Sequence, residues 1–375
     1  MSNIVHFDRT GVAQAFRDDA DAALRAVGEP VVLDEWQYAP EVLGAVKRAL
    51  DSGSGAGRFL MTASVSAQLE EDQWPATGRV TEFRMVPMTV AELNGSRSGT
   101  MAVDRLLLGT AEALQPAMSP TDAPDIAGYL DLALRSGFPQ AAITPKRSRA
   151  AWLRGYRDQI VARDSQLTKE GIDPARFGQF LEAVAMHSAT VTTTQTLSDL
   201  AQISRTTSNQ YERLLTRLHL LVAVPAWSSR RVQRLVKAPK RFLADAGLTA
   251  AVLDMTEEDL LFDATIKGRI LETFVAAQLM AEVPFATSRP RLFHFRDANG
   301  RREIDLLLQY PRGRVVAVEV KAASTVSVSD AAHMRWLRDA LGEAFVCGVV
   351  LYTGAFTREL DDRIFAAPIS TLWAD

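Results

Sequence analysis

Glu303-Ile304-Asp305-Leu306-Leu307-Leu308 and Val315-Val316-Ala317-Val318-Glu319-Val320-Lys321 decide how this chain is read. Both runs are apolar enough for buried strands, yet each carries charge. Acids and a lysine in such a setting are paired, exposed or chemically employed. Between the runs stands Pro311-Arg312-Gly313, a short turn with glycine where a positive φ is wanted. Folding about Arg312 sets Asp305 opposite Glu319, because each lies seven residues from it. Alternation along a strand then gives Glu303, Asp305, Glu319 and Lys321 one common face. Two facing carboxylates beside an ammonium can hold a divalent metal and activate a water. The plainer alternative is a surface hairpin with an ordinary cross-strand ion pair.

The chain has 375 residues, too many for one ordinary domain, so two to four are expected. Its 47% apolar and 23% charged composition is that of a soluble globular protein. No run of apolar residues is long enough to span a membrane, and the N-terminus is not signal-like, which points to the cytoplasm. The single Cys347 offers neither a disulfide nor a metal cluster. His6, His187, His219, His294 and His333 are scattered, with no zinc-like pair. A net charge of −3 gives no hint of a polyanion partner, but its distribution does. Arg213, Arg217, Arg230, Arg231, Arg234, Lys237, Lys240 and Arg241 follow one another without an intervening Asp or Glu. Local charge of this kind favours phosphate binding.

The first 95 residues read as α/β. Val31-Val32-Leu33-Asp34-Glu35 is an apolar strand ending in two acids, with a helix beginning near Pro40-Glu41-Val42-Leu43. Arg58-Phe59-Leu60-Met61-Thr62 is a second strand, and Val80 to Val86 a third. Strand–helix–strand spacing of this length implies a parallel sheet. A strand ending in Asp-Glu is what a Walker B element needs, Asp34 for Mg2+ and Glu35 for the attacking water. Helical spacing of Trp152, Leu153, Tyr156 and Ile160 marks a helical, lid-like region made of core residues.

Residues 175–240 predict a winged helix. Phe177, Phe180, Leu181 and Val184 mark a first helix, Leu197 to Ala201 a second, and Thr206 to Leu218 a third. The wing strands are expected at residues 220–225 and 234–237. The third helix presents Arg205, Thr206, Asn209, Gln210, Arg213 and Arg217 on its polar side, and the wing adds Arg230, Arg231 and Arg234. Those types suit base edges and phosphates. Winged helices that serve only protein contacts, and the solvated face that any helix needs, are the alternatives.

The D-(x13)-E-x-K pattern of Asp305, Glu319 and Lys321 resembles the metal-binding core of PD-(D/E)XK nucleases. In that family a preceding helix often adds a carboxylate, here Glu272 in Gly268-Arg269-Ile270-Leu271-Glu272. The resemblance implies that Glu272, Asp305 and Glu319, with Glu303 as alternate, hold Mg2+ or Mn2+ while Lys321 positions the hydrolytic water. Val32-Leu33-Asp34-Glu35-Trp36-Gln37-Tyr38, Phe59-Leu60-Met61-Thr62-Ala63-Ser64, Gly78-Arg79, Ser136-Gly137-Phe138-Pro139, Trp152-Leu153-Arg154-Gly155-Tyr156 and Asp245-Ala246-Gly247-Leu248 follow in an order that resembles prokaryotic AAA-type ATPases with a DUF4143 C-terminal region. Thr62 then stands at the sensor and Arg79 at a finger-like position. Members of that family open with G-x-x-x-x-G-K-[ST], whereas this sequence holds no Gly-Lys dipeptide. ATP is thus expected as a cofactor only with a P-loop upstream, and Asp34 and Glu35 as structure rather than working catalysts.

The expected architecture is a multidomain α/β chain: a truncated AAA-like parallel sheet (1–95), a helical lid (96–170), a winged helix (171–240) and a PD-(D/E)XK-like α/β domain (241–375). The leading functional expectation is a DNA-associated protein with a metal-dependent nuclease-like domain, free of the membrane and compatible with an oligomer. The alternative is a non-catalytic DNA-binding or assembly protein whose acidic cluster is an ion-pair network.

Overall fold

The computed structural model describes residues 3–53, 55–63, 78–95, 100–115, 122–162, 172–228, 238–297 and 299–373. The chain divides into two units, Met1–Met85 and Val86–Asp375.

In the first unit, β1 (Asn3–His6), β2 (Val31–Asp34) and β3 (Phe59–Met61) form a parallel sheet in the order β1-β2-β3. Parallel neighbours need crossovers, and these are helices Thr10–Asp18 and Ala20–Val27, then Val42–Ser52. Their apolar faces close a core with Val5, Phe7, Phe16, Leu24, Leu33 and Leu43. The strand expected over residues 80–86 is not formed. Residues 80–89 belong to no helix or strand, and Val80, Phe83, Met85 and Val86 are exposed. An apolar β-prone run becomes a strand only where a neighbour offers its edge.

The second unit begins with short helices, then Ile126–Arg135, Pro139–Ile143 and Lys146–Ala162. Three helices follow: Pro174–Met186, Thr194–Leu200 and Arg205–Arg217. Asp173, Thr193 and Ser204 cap them, each accepting from a backbone N–H of the first turn. Phe177, Phe180, Leu197, Tyr211, Leu214 and Leu215 form their shared core. β4 (Leu221–Val224) pairs antiparallel with β5 (Lys240–Leu243). The partner expected at residues 234–237 lies outside the described residues, as do Arg230, Arg231 and Arg234.

The rest of the unit is a six-stranded sheet ordered β10 (Arg358–Asp361), β11 (Ile364–Pro368), β9 (Phe345–Tyr352), β8 (Val315–Lys321), β7 (Glu303–Gln309) and β6 (Arg291–Arg296). Helix Ala264–Glu282 lines one core with Leu306, Leu308, Val316 and Val318. Met334 and Leu337 of helix Ala332–Leu341 line the other with Ile304, Leu307 and Ala317. β7 and β8 pair in the register the turn demands, from Gln309↔Val315 to Leu306↔Val318. Arg312 as well as Gly313 takes a positive φ in that turn, at 64° and 78°.

Strict alternation fails next to Asp305. Phe293 pairs with Leu307 and Phe295 with Ile304, so two steps on β6 oppose three on β7. One extra residue sits in β7, which is a bulge, and it accounts for Ile304 and Leu307 sharing a core. The bulge falls at Asp305 and Leu306, the two residues between those pairs.

Ser136-Gly137 and Asp245-Ala246-Gly247-Leu248 meet at one packing point. Buried Asp245 caps helix Ala246–Val252 through Leu248 N (2.7 Å) and accepts from Gly137 N (2.8 Å). Burial pushes its carboxyl up, against these two amide hydrogen bonds. A side chain on Gly137 would meet Met88 O at 2.4 Å, and one on Gly247 would meet Ser136 Cβ at 2.9 Å.

Candidate functional site

The centre of charge in the second unit is a residue that sequence reasoning places among surface bases rather than in the site. Lys240 opens β5, whose four residues are all buried, and its side chain is 1% exposed. Its ammonium touches Glu272 Oε1 of helix Ala264–Glu282, lies 3.0 Å from Asp305 Oδ1 and 3.7 Å from Glu303 Oε1 of β7. Asp305 Oδ2 accepts from Val320 N at 2.9 Å, across the end of the β7–β8 ladder. Glu319 accepts from Lys321 Nζ at 2.9 Å.

Four carboxylates thus face two ammonium groups in a poorly hydrated place. Burial and the charge of Asp305 push the Glu272 carboxyl well above its usual range, and Lys240 offsets part of this. Burial, then Asp305, pushes Glu319 up to about 8, opposed by Lys321. For Lys240 burial works against the charge, but Asp305, Glu272 and Glu303 together raise it well above the ordinary lysine range. The ammonium stays protonated. Removing an unpaired ammonium from water costs several kcal/mol, so the carboxylates are what make its burial tolerable.

Oxygen donors are the right chemistry for Mg2+ or Mn2+. The arrangement is not. Lys240 stands among three of the carboxylates and Lys321 holds the fourth. Among the described residues no group of three or more His, Cys, Asp or Glu is arranged to hold a metal ion.

Arg241, the next residue, is buried and faces another partner. Its Nε and Nη2 donate to Glu212 at 3.0 and 3.1 Å, and Nη1 donates to Thr192 O. Glu212 belongs to helix Arg205–Arg217, whose Ser208, Tyr211, Leu214 and Leu215 are buried. Arg205, Thr206, Asn209, Arg213, Thr216 and Arg217 are exposed on the opposite side, with Gln210 half-buried beside them. The one acid of the helix is thus half-buried and held by Arg241, while its three arginines face outward.

In the first unit Asp34 ends β2. Its Oδ1 accepts from Thr62 Oγ1 at 2.5 Å and its Oδ2 lies 2.9 Å from His6 Nδ1. These hydrogen bonds, Thr62 first, hold the carboxyl below its usual range. Asp34 thereby ties together residues at the ends of all three strands. Glu35 is left-handed (φ 58°) and accepts from Gln37 Nε2. Arg79 pairs with Asp51 at the surface.

Residues 3–94 match the family model of the AAA domain, and residues 267–372 match that of a domain of unknown function, DUF4143. The chain carries an AAA domain and a DUF4143 domain. Between them, residues 126–259 match a further domain of unknown function, DUF8612. No curated protein and no solved structure matches the chain.

The DUF4143 segment contains Glu272, Glu303, Asp305, Glu319 and Lys321, whereas Lys240 comes from the DUF8612 segment. The site is thus shared between two family segments. The basic run from Arg213 to Arg241 is not one surface: Arg213 and Arg217 are exposed, while Lys240 and Arg241 are buried and paired. A signal for this was available. Lys240-Arg241 precedes Phe242-Leu243, and the argument that flags acids in an apolar strand flags these bases equally.

Proposed function

We propose that this protein binds duplex DNA through helix Arg205–Arg217, used as the recognition helix of a winged-helix module. The observation that carries this reading is the stripe Arg205, Asn209, Arg213 and Arg217 on an exposed face of a helix whose one acid, Glu212, is half-buried and paired with Arg241. Three guanidinium groups can meet phosphates, and the Asn209 amide can meet an adenine edge. The capping residue Ser204 and the short turn from Ala201 fix the approach of this helix to the one before it. Metal-dependent cleavage through Glu272, Asp305, Glu319 and Lys321 would first need Lys240 to leave the cluster. Binding without cleavage is therefore the function proposed.

The test is fluorescence anisotropy with duplex DNA over a range of salt concentrations. Replacing Arg205, Arg213 and Arg217 together by alanine should weaken binding and flatten the log–log salt slope by about 2–3, roughly one for each phosphate no longer neutralised. Equal affinity and equal slope in wild type and variant would overturn the reading.

A further inference from the structure

We infer that Lys240 is the resident cation of the acidic cluster, standing where this kind of site would otherwise hold a divalent metal. An ammonium has three N–H donors and no acceptor. Here it stands among three carboxylates drawn from two elements: Glu272 from the helix, Glu303 and Asp305 from β7. The remaining ligand-like groups are engaged too, Asp305 Oδ2 by Val320 N and Glu319 by Lys321.

Two features of the chain bring these groups together. A bulge in β7 falls at Asp305, between the pairs Phe295↔Ile304 and Phe293↔Leu307, and β5 delivers Lys240 from outside the DUF4143 segment. A metal entering the cluster would meet a fixed positive charge among its own ligands. Lys240 therefore makes the cluster independent of metal, and its main effect is to hold β5, the helix and β7 together.

The inference is independent of DNA binding and is tested without it. Wild type, Asp305→Asn, Lys240→Met and Lys240→Met with Asp305→Asn are compared as full chains, by thermal unfolding with EDTA or MnCl2 and by Mn2+ titration followed by electron paramagnetic resonance. Wild type should melt at the same temperature in EDTA and Mn2+ and take up no ion at the cluster. Lys240→Met should melt lower in EDTA by roughly 10 °C, as expected for stranded buried carboxylates. It should recover in Mn2+ and bind one ion at least about tenfold more tightly than wild type. Asp305→Asn should abolish that gain.

Uptake of Mn2+ by wild type that is lost in Asp305→Asn would overturn the inference. So would a Lys240→Met protein that keeps its melting temperature or folds without gaining a Mn2+ site. Should Lys240→Met not fold at all, the wild-type titration decides: uptake lost in Asp305→Asn overturns the inference, and absence of uptake supports it.

Discussion

Lys240 and Arg241 are neighbours on β5, yet their charged ends serve different sites. Lys240 reaches Glu272, Glu303 and Asp305, while Arg241 reaches Glu212 on helix Arg205–Arg217. Alternation along the strand sends the two side chains to opposite faces. One peptide bond therefore joins the acidic cluster to the helix whose outer face carries Arg205, Arg213 and Arg217. Both bases are buried and both are paired.

Arg241→Met should be the most destabilising single change at that helix. It strands the Glu212 carboxylate and removes the donor to Thr192 O. Breaking a buried pair from one side costs about 3–5 kcal/mol. Glu212→Gln combined with Arg241→Met should cost clearly less than the two single changes summed, because the pair acts as a unit. Urea unfolding of the four proteins measures this, and strictly additive losses would mean that the ion pair contributes nothing of its own.

How far the sequence carries can be seen at particular residues. The β7–β8 register was legible because Pro311-Arg312-Gly313 sets it and the runs Leu306–Leu308 and Val315–Val318 are apolar throughout. The helices over residues 174–217 were legible from the spacing of Phe177, Phe180, Tyr211 and Leu214. The bulge at Asp305 was not, because it depends on how β6 pairs, and no local residue type announces it. Lys240 escapes a local reading because a basic residue near other basic residues looks like surface. Only its partners, from 32 residues downstream at Glu272 to 65 at Asp305, show otherwise. Val80–Val86 has the composition of a strand and no ladder to join.

Asn209 separates specificity from affinity in the proposed DNA complex. It is exposed at the middle of the arginine stripe and carries no charge. Asn209→Ala should lower discrimination at one base position by about 1–3 kcal/mol while leaving the salt slope unchanged. Binding to a panel of single-base variants at two salt concentrations checks this. A changed slope with unchanged discrimination would place Asn209 at the backbone instead.

Two glycines should respond oppositely to alanine. At Gly137 a Cβ would press on Met88 O at 2.4 Å and on Pro87 Cβ at 2.7 Å, beside the hydrogen bond that Asp245 accepts. Backbone cannot be pushed aside cheaply, so Gly137→Ala should cost about 1–3 kcal/mol or more. At Gly155, inside helix Lys146–Ala162, a Cβ meets nothing within 4 Å. Gly155→Ala should stabilise by up to about 1 kcal/mol through helix propensity. Melting temperatures moving the same way in both would contradict the packing seen at Ser136-Gly137.

Glu282 should make stability depend on pH near neutrality. It ends helix Ala264–Glu282, and its carboxylate accepts from Val103 N at 3.0 Å, while Tyr310 donates to Val103 O at 2.6 Å. Burial pushes its pKa up to about 7 from an ordinary 4.5, with the Val103 amide and then Arg105 opposing. Between those two values the folded chain holds a proton that the unfolded chain has released. Its stability therefore falls as pH rises through that window, by at most about 1.4 kcal/mol per pH unit from this group, and this contribution levels off above about pH 7. Glu282→Gln keeps an acceptor for Val103 N but cannot ionise. Relative to wild type it should gain stability steadily from about pH 5 to pH 7 and then hold that gain to about pH 8. Urea unfolding at intervals across this range gives the difference directly, and parallel profiles would show that Glu282 does not titrate there.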